Sequence, residues 1–356
     1  MKTPIYEGSV KNLWTVDLTT LEFEYTDAYS VFDWGRMPDL LQGKGTALAS
    51  IGEFFFKQIS QPAMWKKIAD DARITPALRG EFEALCAKGM LTHFKKRTAP
   101  NKFTVEKVKV VRPEVLNIFG REVVDYSSLW FSRPHLIPLE VVFRFGAPSG
   151  SSFFERATPQ YCREVGLKEE PAVGARFPNV VIEFFSKLEN KDRFLTFEQA
   201  YLYTRLDDKT FGSLIARSML LSFFLDHFFK EIGLELWDGK FEWALSADGE
   251  VMLVDSIGPD ELRLLDPTSG VQLSKEFLRQ FYRPTPWFEK VTSEKKKGGD
   301  WKERVGVEPP KLSAQFLEVS SCLYPSLAFW ITGHNPDGHG VSLSKMREMV
   351  ALCSKN

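Results

Sequence analysis

Hydrophobic and polar positions alternate most clearly over residues 236–265, LWDGKFEWALSADGEVMLVDSIGPDELRLL. Trp237, Phe241, Trp243 and Leu245 fall on one face of an extended strand, and Asp238, Lys240 and Glu242 fall on the other, because successive side chains of a strand point to opposite sides. Asp248-Gly249 then fits a two-residue type I′ turn, and Val251 to Val254 supplies the returning strand. Counting outward from that turn sets Glu242 directly across from Asp255, with Cβ atoms about 5 Å apart. Like charges so placed repel, so the pairing predicts a cation between them, and hard carboxylate oxygens suit Mg²⁺. The alternative is a solvated hairpin whose charges meet nothing.

The same patterns predict further strands over 13–16, 21–25, 103–111 and 139–143, and one from residue 180 that leads into a polar loop ending at Asp192. In the 103–111 strand, Lys107 and Lys109, with Arg112 just beyond, form a solvated outer face. Helical spacing predicts helices over 46–59, 76–90, 196–206, 209–231 and 274–281. The 209–231 helix carries the apolar stripe Phe211, Leu214, Ile215, Met219 and Phe223, which makes it a core helix and His227 a structural residue. In 274–281, Lys275 and Arg279 stand one turn apart on the same side. Residues 292–312, rich in Lys, Glu and Gly, read as a solvated loop, and two helices joined by GHNPDGHG close the chain. His334 and His339 in that turn lack the further partners a metal site needs. This order divides the chain into an N-terminal lobe over 1–135, a second lobe over 136–290, and a charged loop with a helical extension over 291–356.

Composition narrows the class. With 44% hydrophobic residues, 30 Phe among 356 residues, and 26% charged residues, the chain has a large core to bury and is not disordered. A net charge of −1 provides no field for nucleic acid or an anionic membrane. Cys86, Cys162, Cys322 and Cys353 lack metal-type spacing, which points to reduced thiols. The N-terminus has no apolar signal region, and Arg217, Asp226 and His227 interrupt the most apolar run. A cytoplasmic monomer or small homo-oligomer, with small-molecule substrates and no nucleic-acid or membrane partner, is the expectation.

Two further clusters carry chemistry. Gly8-Ser9-Val10-Lys11 is a glycine turn with a lysine, either a cover for phosphates or an ordinary turn. Arg144 precedes a Gly/Ser loop containing Ser151, and together they offer a guanidinium fork and hydroxyl donors suited to a phosphate monoester; the alternative is an ion-paired Arg beside a loop.

Taken in order, GSVKNLW at 8–14, TDAYSVFD and QGKG within 26–45, PLEVVFR with GSS at 138–152, DGKFEWAL and GEVMLVDSIGPDELR within 238–263, and SKEFLRQ at 274–280 make the chain resemble the SAICAR synthetase (phosphoribosylaminoimidazole-succinocarboxamide synthase) family. The resemblance implies an α/β (α+β) two-lobed fold related to ATP-grasp and kinase-like nucleotide binders, with antiparallel sheets flanked by helices. It implies Mg-ATP-dependent joining of L-aspartate to carboxyaminoimidazole ribonucleotide (CAIR) in purine biosynthesis, through an acyl phosphate.

Under this resemblance, Gly8, Ser9 and Lys11 lie over the ATP phosphates, and Glu242 and Asp255 bind magnesium. Lys240 and Asp238 stand at the reacting groups. Arg144, Ser151 and Arg263 hold the ribose phosphate, and Lys187 and Asp192 border the aspartate site. Lys275 and Arg279 are further anion contacts. Ser9, Ala28, Ser256 and Leu262 depart from the usual family residues. The loosely matched region over 187–192 keeps open a diverged ATP-dependent carboxylate–amine ligase with another substrate, and Ser9, Ala28 and Ser256 keep open a catalytically silent nucleotide-binding homologue.

Overall fold

Two antiparallel sheets position everything that follows. The computed structural model describes residues 3–131, 133–189, 192–335 and 338–353. The first sheet contains β1 (Thr3–Glu7), β2 (Lys11–Thr15), β3 (Thr20–Tyr25), β4 (Phe94–Ala99) and β5 (Lys102–Glu106), ordered β1-β2-β3-β5-β4. A separate hairpin pairs β6 (Glu114–Ile118) with β7 (Arg121–Asp125). The second sheet runs in the order β10-β9-β8-β11-β12, from β8 (His135–Ala147), β9 (Ala175–Ser186), β10 (Phe194–Leu195), β11 (Glu235–Leu245) and β12 (Val251–Val254). The first half of β11 also pairs with β13 (Leu262–Leu265).

The helices are α1 (Lys44–Ile59), α2 (Pro62–Trp65), α3 (Pro76–Lys88), α4 (Pro159–Glu164), α5 (Phe197–Thr204), α6 (Asp208–Glu231), α7 (Lys275–Tyr282), α8 (Pro286–Lys296), α9 (Trp301–Val305), α10 (Ala314–Thr332) and α11 (Leu343–Cys353). The Asp27 carboxylate accepts from the N–H groups of Gly43 and Gly45 and so fixes the start of α1. α6 buries Phe211, Leu214 and Phe223 as its stripe predicts, while His227 lies near the surface, 3.4 Å from Glu231. One apolar cluster runs from Phe23 in β3 through Trp243 in β11 to Val350 in α11. None of the described helices is long and apolar enough to cross a membrane.

Three expectations need correction. Residues 292–312 are not an open loop: α8 extends to Lys296, α9 follows, and Trp301 packs on Trp34. Lysines and glutamates are good helix formers, so a charged run there builds a solvated helix face. β5 stops at Glu106, short of the 103–111 strand, and only an isolated bridge from Lys109 to His135 continues the pairing. The third correction is one of register. Ser246 N–H donates to Glu250 O, Gly249 N–H donates to Ser246 O, and Gly249 sits at φ +83°, so the loop holds three residues, Ala247 to Gly249. Glu242 therefore faces Val254, and Asp255 lies just past the end of β12.

Candidate active site

Strand alternation makes the polar wall of the site. On β11, Asp238, Lys240 and Glu242 share one face, while Phe241 and Trp243 turn to the core. Gly239 lies between the polar residues on the core side, where a Cβ would come within 2.7 Å of the Phe143 ring and 2.6 Å of Leu262. β8 runs alongside in a register that sets Arg144 across from Asp238 and Glu140 across from Glu242. The facing carboxylates are thus Glu242 and Glu140. Two lysines neutralise them: Lys240 Nζ donates to Glu140 at 2.6 Å, and Lys187 Nζ donates to Glu242 at 2.7 Å and to Glu140 at 3.2 Å.

Asp255 reaches the same wall by a different route. Period-two alternation from Val254 would turn its side chain to the opposite face from Glu242, but its φ of +65° breaks the alternation. Its carboxylate meets Lys11 Nζ, which also lies 4.3 Å from the centre of the Phe23 ring. Burial alone would raise Asp255, yet Lys11 holds it well below the usual carboxylate range. Burial and the Asp255 charge together push Glu242 upward. Gly8, Ser9 and Lys11 complete the wall from the β1–β2 turn, where a Cβ on Gly8 would come within 2.5 Å of Lys11 O. The cavity so enclosed, about 450 Å³, is also lined by Tyr25, Ser256, Asp260, Glu261 and Lys275.

A second cavity, about 320 Å³, is lined by Arg144, Asp192, Asp238, Arg263 and Arg279. Lys240, Asp260, Glu261 and Lys275 line both cavities, so the two meet there. Arg263 Nη1 and Arg279 Nε are buried without hydrogen-bond partners, which leaves two guanidinium donors available to an anion. Arg144 is different. Its nitrogens are occupied by Glu183 at 2.5 Å, Asp238 at 3.1 Å, Ser151 at 3.3 Å and Ser152 at 3.1 Å. Ser151 therefore orients Arg144 from behind.

Lys187 lines the first cavity and Asp192 the second, and both interact with Glu140: burial first and then Glu140 push the Asp192 carboxyl up, while the Lys187 charge draws it down. Asn190 and Lys191, in the loop between them, lie outside the described residues, as do Pro336 and Asp337 of the GHNPDGHG turn. Of the departures from the family pattern, Ala28 is buried in the core, and Leu262 packs beneath Gly239 at the lining of the second cavity. Ser256 shares a 2.8 Å hydrogen bond with the Tyr25 hydroxyl.

Sequence reasoning missed several residues. Glu140 was signalled as the lone acid in the apolar run IPLEVVF. Lys44, of the QGKG motif, is fully buried and donates to Asp260 at 2.8 Å. Tyr324, from α10, donates to the same carboxylate at 2.7 Å. The C-terminal extension thus reaches the cleft floor, and no local signal announced that contact.

Burial first, then the charges of Asp260 and Asp255, push the Glu261 carboxyl up to about 8. Between its ordinary value of 4.5 and about 8, the folded chain holds a proton that the unfolded chain releases. Its contribution to stability therefore falls as pH rises through that window. Glu261→Gln keeps the shape without the charge, and is expected to raise the melting temperature by a few degrees near pH 9 and by less near pH 5. Thermal melts at both pH values check this; equal shifts would contradict it.

The fold is shared with solved structures. SAICAR-synthase from Saccharomyces cerevisiae complexed with SAICAR superposes with a TM-score of 0.59 at 20% identity, covering 94% of this chain and 96% of that one. A SAICAR synthetase (Type-2) in complex with ADP gives 0.53 at 20% identity, covering 86% of this chain and 99% of that one. Fold and cleft define a two-lobed α+β protein with the architecture these structures share. Residues 4–294 match the model of the SAICAR synthetase family, and the chain belongs to that family. A putative phosphoribosylaminoimidazole-succinocarboxamide synthase from Archaeoglobus fulgidus is 32% identical over 319 residues, 87% of each chain. The corresponding synthase from Thermoplasma acidophilum is 25% identical over 339 residues, 92% of this chain and 98% of that one.

Proposed function

We propose that the chain is an ATP-dependent carbon–nitrogen ligase that joins L-aspartate to CAIR, giving SAICAR, ADP and phosphate in purine biosynthesis. The observation that carries this reading is the meeting of two polar cavities at Lys240, Asp260, Glu261 and Lys275 in a member of this family. A carboxylate does not condense with an amine in water, so its oxygen must first become a leaving group. In-line phosphoryl transfer makes it one, and needs the two reactants held together while the charge on the moving group is neutralised.

The first cavity suits the nucleotide phosphates, covered by the Gly8–Lys11 turn, with Lys11 and Lys187 as cationic contacts. The second suits the ribonucleotide: the unpartnered donors of Arg263 and Arg279 face its phosphate, and Asp238 and Arg144 fix the orientation of Arg263. Lys240, on the shared wall, aligns the substrate carboxylate with the transferred phosphoryl group.

Glu242 and Asp255 fit a magnesium ion, since the buried Glu242 and the half-buried Asp255 repel each other on one cavity wall and Mg²⁺ takes one or two such ligands plus phosphate oxygens. Among the described residues no group of three His, Cys, Asp or Glu side chains would hold a metal alone, so nucleotide oxygens would complete the set. When bound, the ion supplies charge neutralisation at the phosphates.

SAICAR formation from Mg-ATP, CAIR and L-aspartate by the purified protein tests the reading. ADP release only with a different amine would replace it with a diverged ligase, and nucleotide binding without turnover would replace it with a silent homologue. Arg263→Ala is expected to raise the KM for CAIR by roughly 10- to 100-fold, the equivalent of one charged hydrogen bond, and to leave the KM for ATP little changed. Initial rates with each substrate varied in turn check this; an equal rise for ATP would move Arg263 out of the ribonucleotide site.

A further inference from the structure

Glu261 stands on the wall that both cavities share, and the phosphoryl-transfer chemistry above gives it no task. Its Oε2 is closed off from solvent and has no hydrogen-bond partner. Its backbone is fixed on both sides: its N–H donates to Gly258 O at 3.0 Å, and its C=O accepts from Lys240 N–H at 3.2 Å. The neighbouring acids are already committed. Asp260 accepts from Lys44 and Tyr324, Asp255 from Lys11, and Glu242 from Lys187. A buried carboxylate oxygen left without a donor weakens the fold, and a ligand carrying N–H groups would supply what is missing.

We propose that Glu261 receives the amino group of the incoming amino acid at the junction of the two cavities and accepts its ammonium proton. This rests on the ligase reading. The amino acid arrives as an ammonium ion, which has no lone pair for attack. Transfer of one proton to the Glu261 carboxylate frees the lone pair. The nitrogen then forms a bond to the acyl carbon, the bond from that carbon to the phosphate oxygen breaks, and the phosphate departs with the electron pair. The departing phosphate takes the second nitrogen proton, and Glu261 returns its proton to water, so each turnover yields amide, hydrogen phosphate and one proton.

The surroundings suit this role. Glu261 is influenced by Lys11 and Tyr25 from the first sheet, Lys240 from β11, Asp255 and Asp260 from the following loop, Lys275 from α7, and Tyr324 from α10. Burial would raise Asp255 and Asp260, but Lys11 and Lys44 hold both well below the usual carboxylate range, which makes them poor proton acceptors near neutrality. Glu261 has no such partner, and its carboxyl is lifted to the range where a proton acceptor works best.

Hydroxylamine provides the test, because it attacks acyl phosphates as a neutral amine and needs no base. With Mg-ATP and CAIR, Glu261→Gln is expected to lower kcat/KM for L-aspartate by about 10²-fold, and to change hydroxamate formation by less than about 3-fold. Glu261→Asp, which keeps a carboxylate, is expected to retain part of the L-aspartate rate. Equal loss with both nucleophiles, or an undiminished L-aspartate rate in the Gln variant, overturns the proposal. A wild-type protein that forms neither product overturns the ligase reading itself, which separates the two failures.

Discussion

Asp255→Asn is expected to lower ligase turnover by roughly 10³-fold at saturating Mg²⁺, with the fold intact. The substitution isolates charge from shape. Asp255 sits at φ +65°, a conformation that Asn tolerates and most other residues do not, so the turn leaving β12 keeps its course. The Asn side-chain oxygen still accepts from Lys11. What disappears is one of the two negative charges on the wall of the first cavity and the compensation of the Lys11 charge, whose ammonium Asp255 helps hold above its usual range against the effect of burial. Glu242 is then the remaining acid of the pair on that wall. Steady-state ADP release across a Mg²⁺ titration measures the effect, and turnover within a few fold of wild type at saturation would remove Asp255 from the metal and phosphate site.

The same residue marks what could be read from the chain and what could not. The alternation of Asp238, Lys240 and Glu242 against Phe241 and Trp243 was legible, because period two is a local property that holds over this stretch; the register shift at Trp237 breaks it, so Leu236 joins the core cluster where Trp237 was expected. The register of the return strand was not. An Asp-Gly pair serves a two-residue loop, and also a three-residue loop with Gly in the left-handed position, and only the backbone distinguishes Gly249 as the latter. The expected facing pair of acids does exist, but on the other side of β11, where Glu140 of β8 faces Glu242.

Contacts distant in sequence were the least legible. Lys44 to Asp260 spans 216 residues and Tyr324 to Asp260 spans 64, so no pattern within a motif could join them. The β6–β7 hairpin was missed for another reason: Val115, Leu116, Ile118 and Val123 are exposed at its surface, so its apolar pattern follows no buried face. The motif order, by contrast, pointed to the family correctly, because the fold brings Gly8 to Lys11, Lys240 to Glu242, and Asp255 to one cavity.

Glu183→Ala is expected to lower the unfolding free energy by about 3–5 kcal/mol, the range for removing one partner from a buried ion pair. Glu183 is buried on β9 and accepts from Arg144 Nε at 2.5 Å, Arg156 Nη2 at 2.8 Å and the Tyr161 hydroxyl at 2.6 Å. Burial would raise its carboxyl, but Arg144 and then Arg156 bring it below the usual value. Its contribution is therefore present above the ordinary carboxyl range and is lost as pH falls through it. Alanine leaves two guanidinium groups without their acid, and Arg144 is almost wholly enclosed.

Urea unfolding near neutral pH measures the loss, and a change below about 1 kcal/mol would show that water or Asp238 replaces the acid. The double variant Arg144→Met with Glu183→Leu removes the central pair together, so it is expected to recover part of the stability lost in Glu183→Ala, leaving Arg156 as the remaining cost. It is not expected to recover CAIR binding. Arg144 bonds to Asp238 at 3.1 Å, and Asp238 faces Arg263 at 3.4 Å, so the cavity proposed for the ribonucleotide loses its orienting charge even when the core beneath it is repaired.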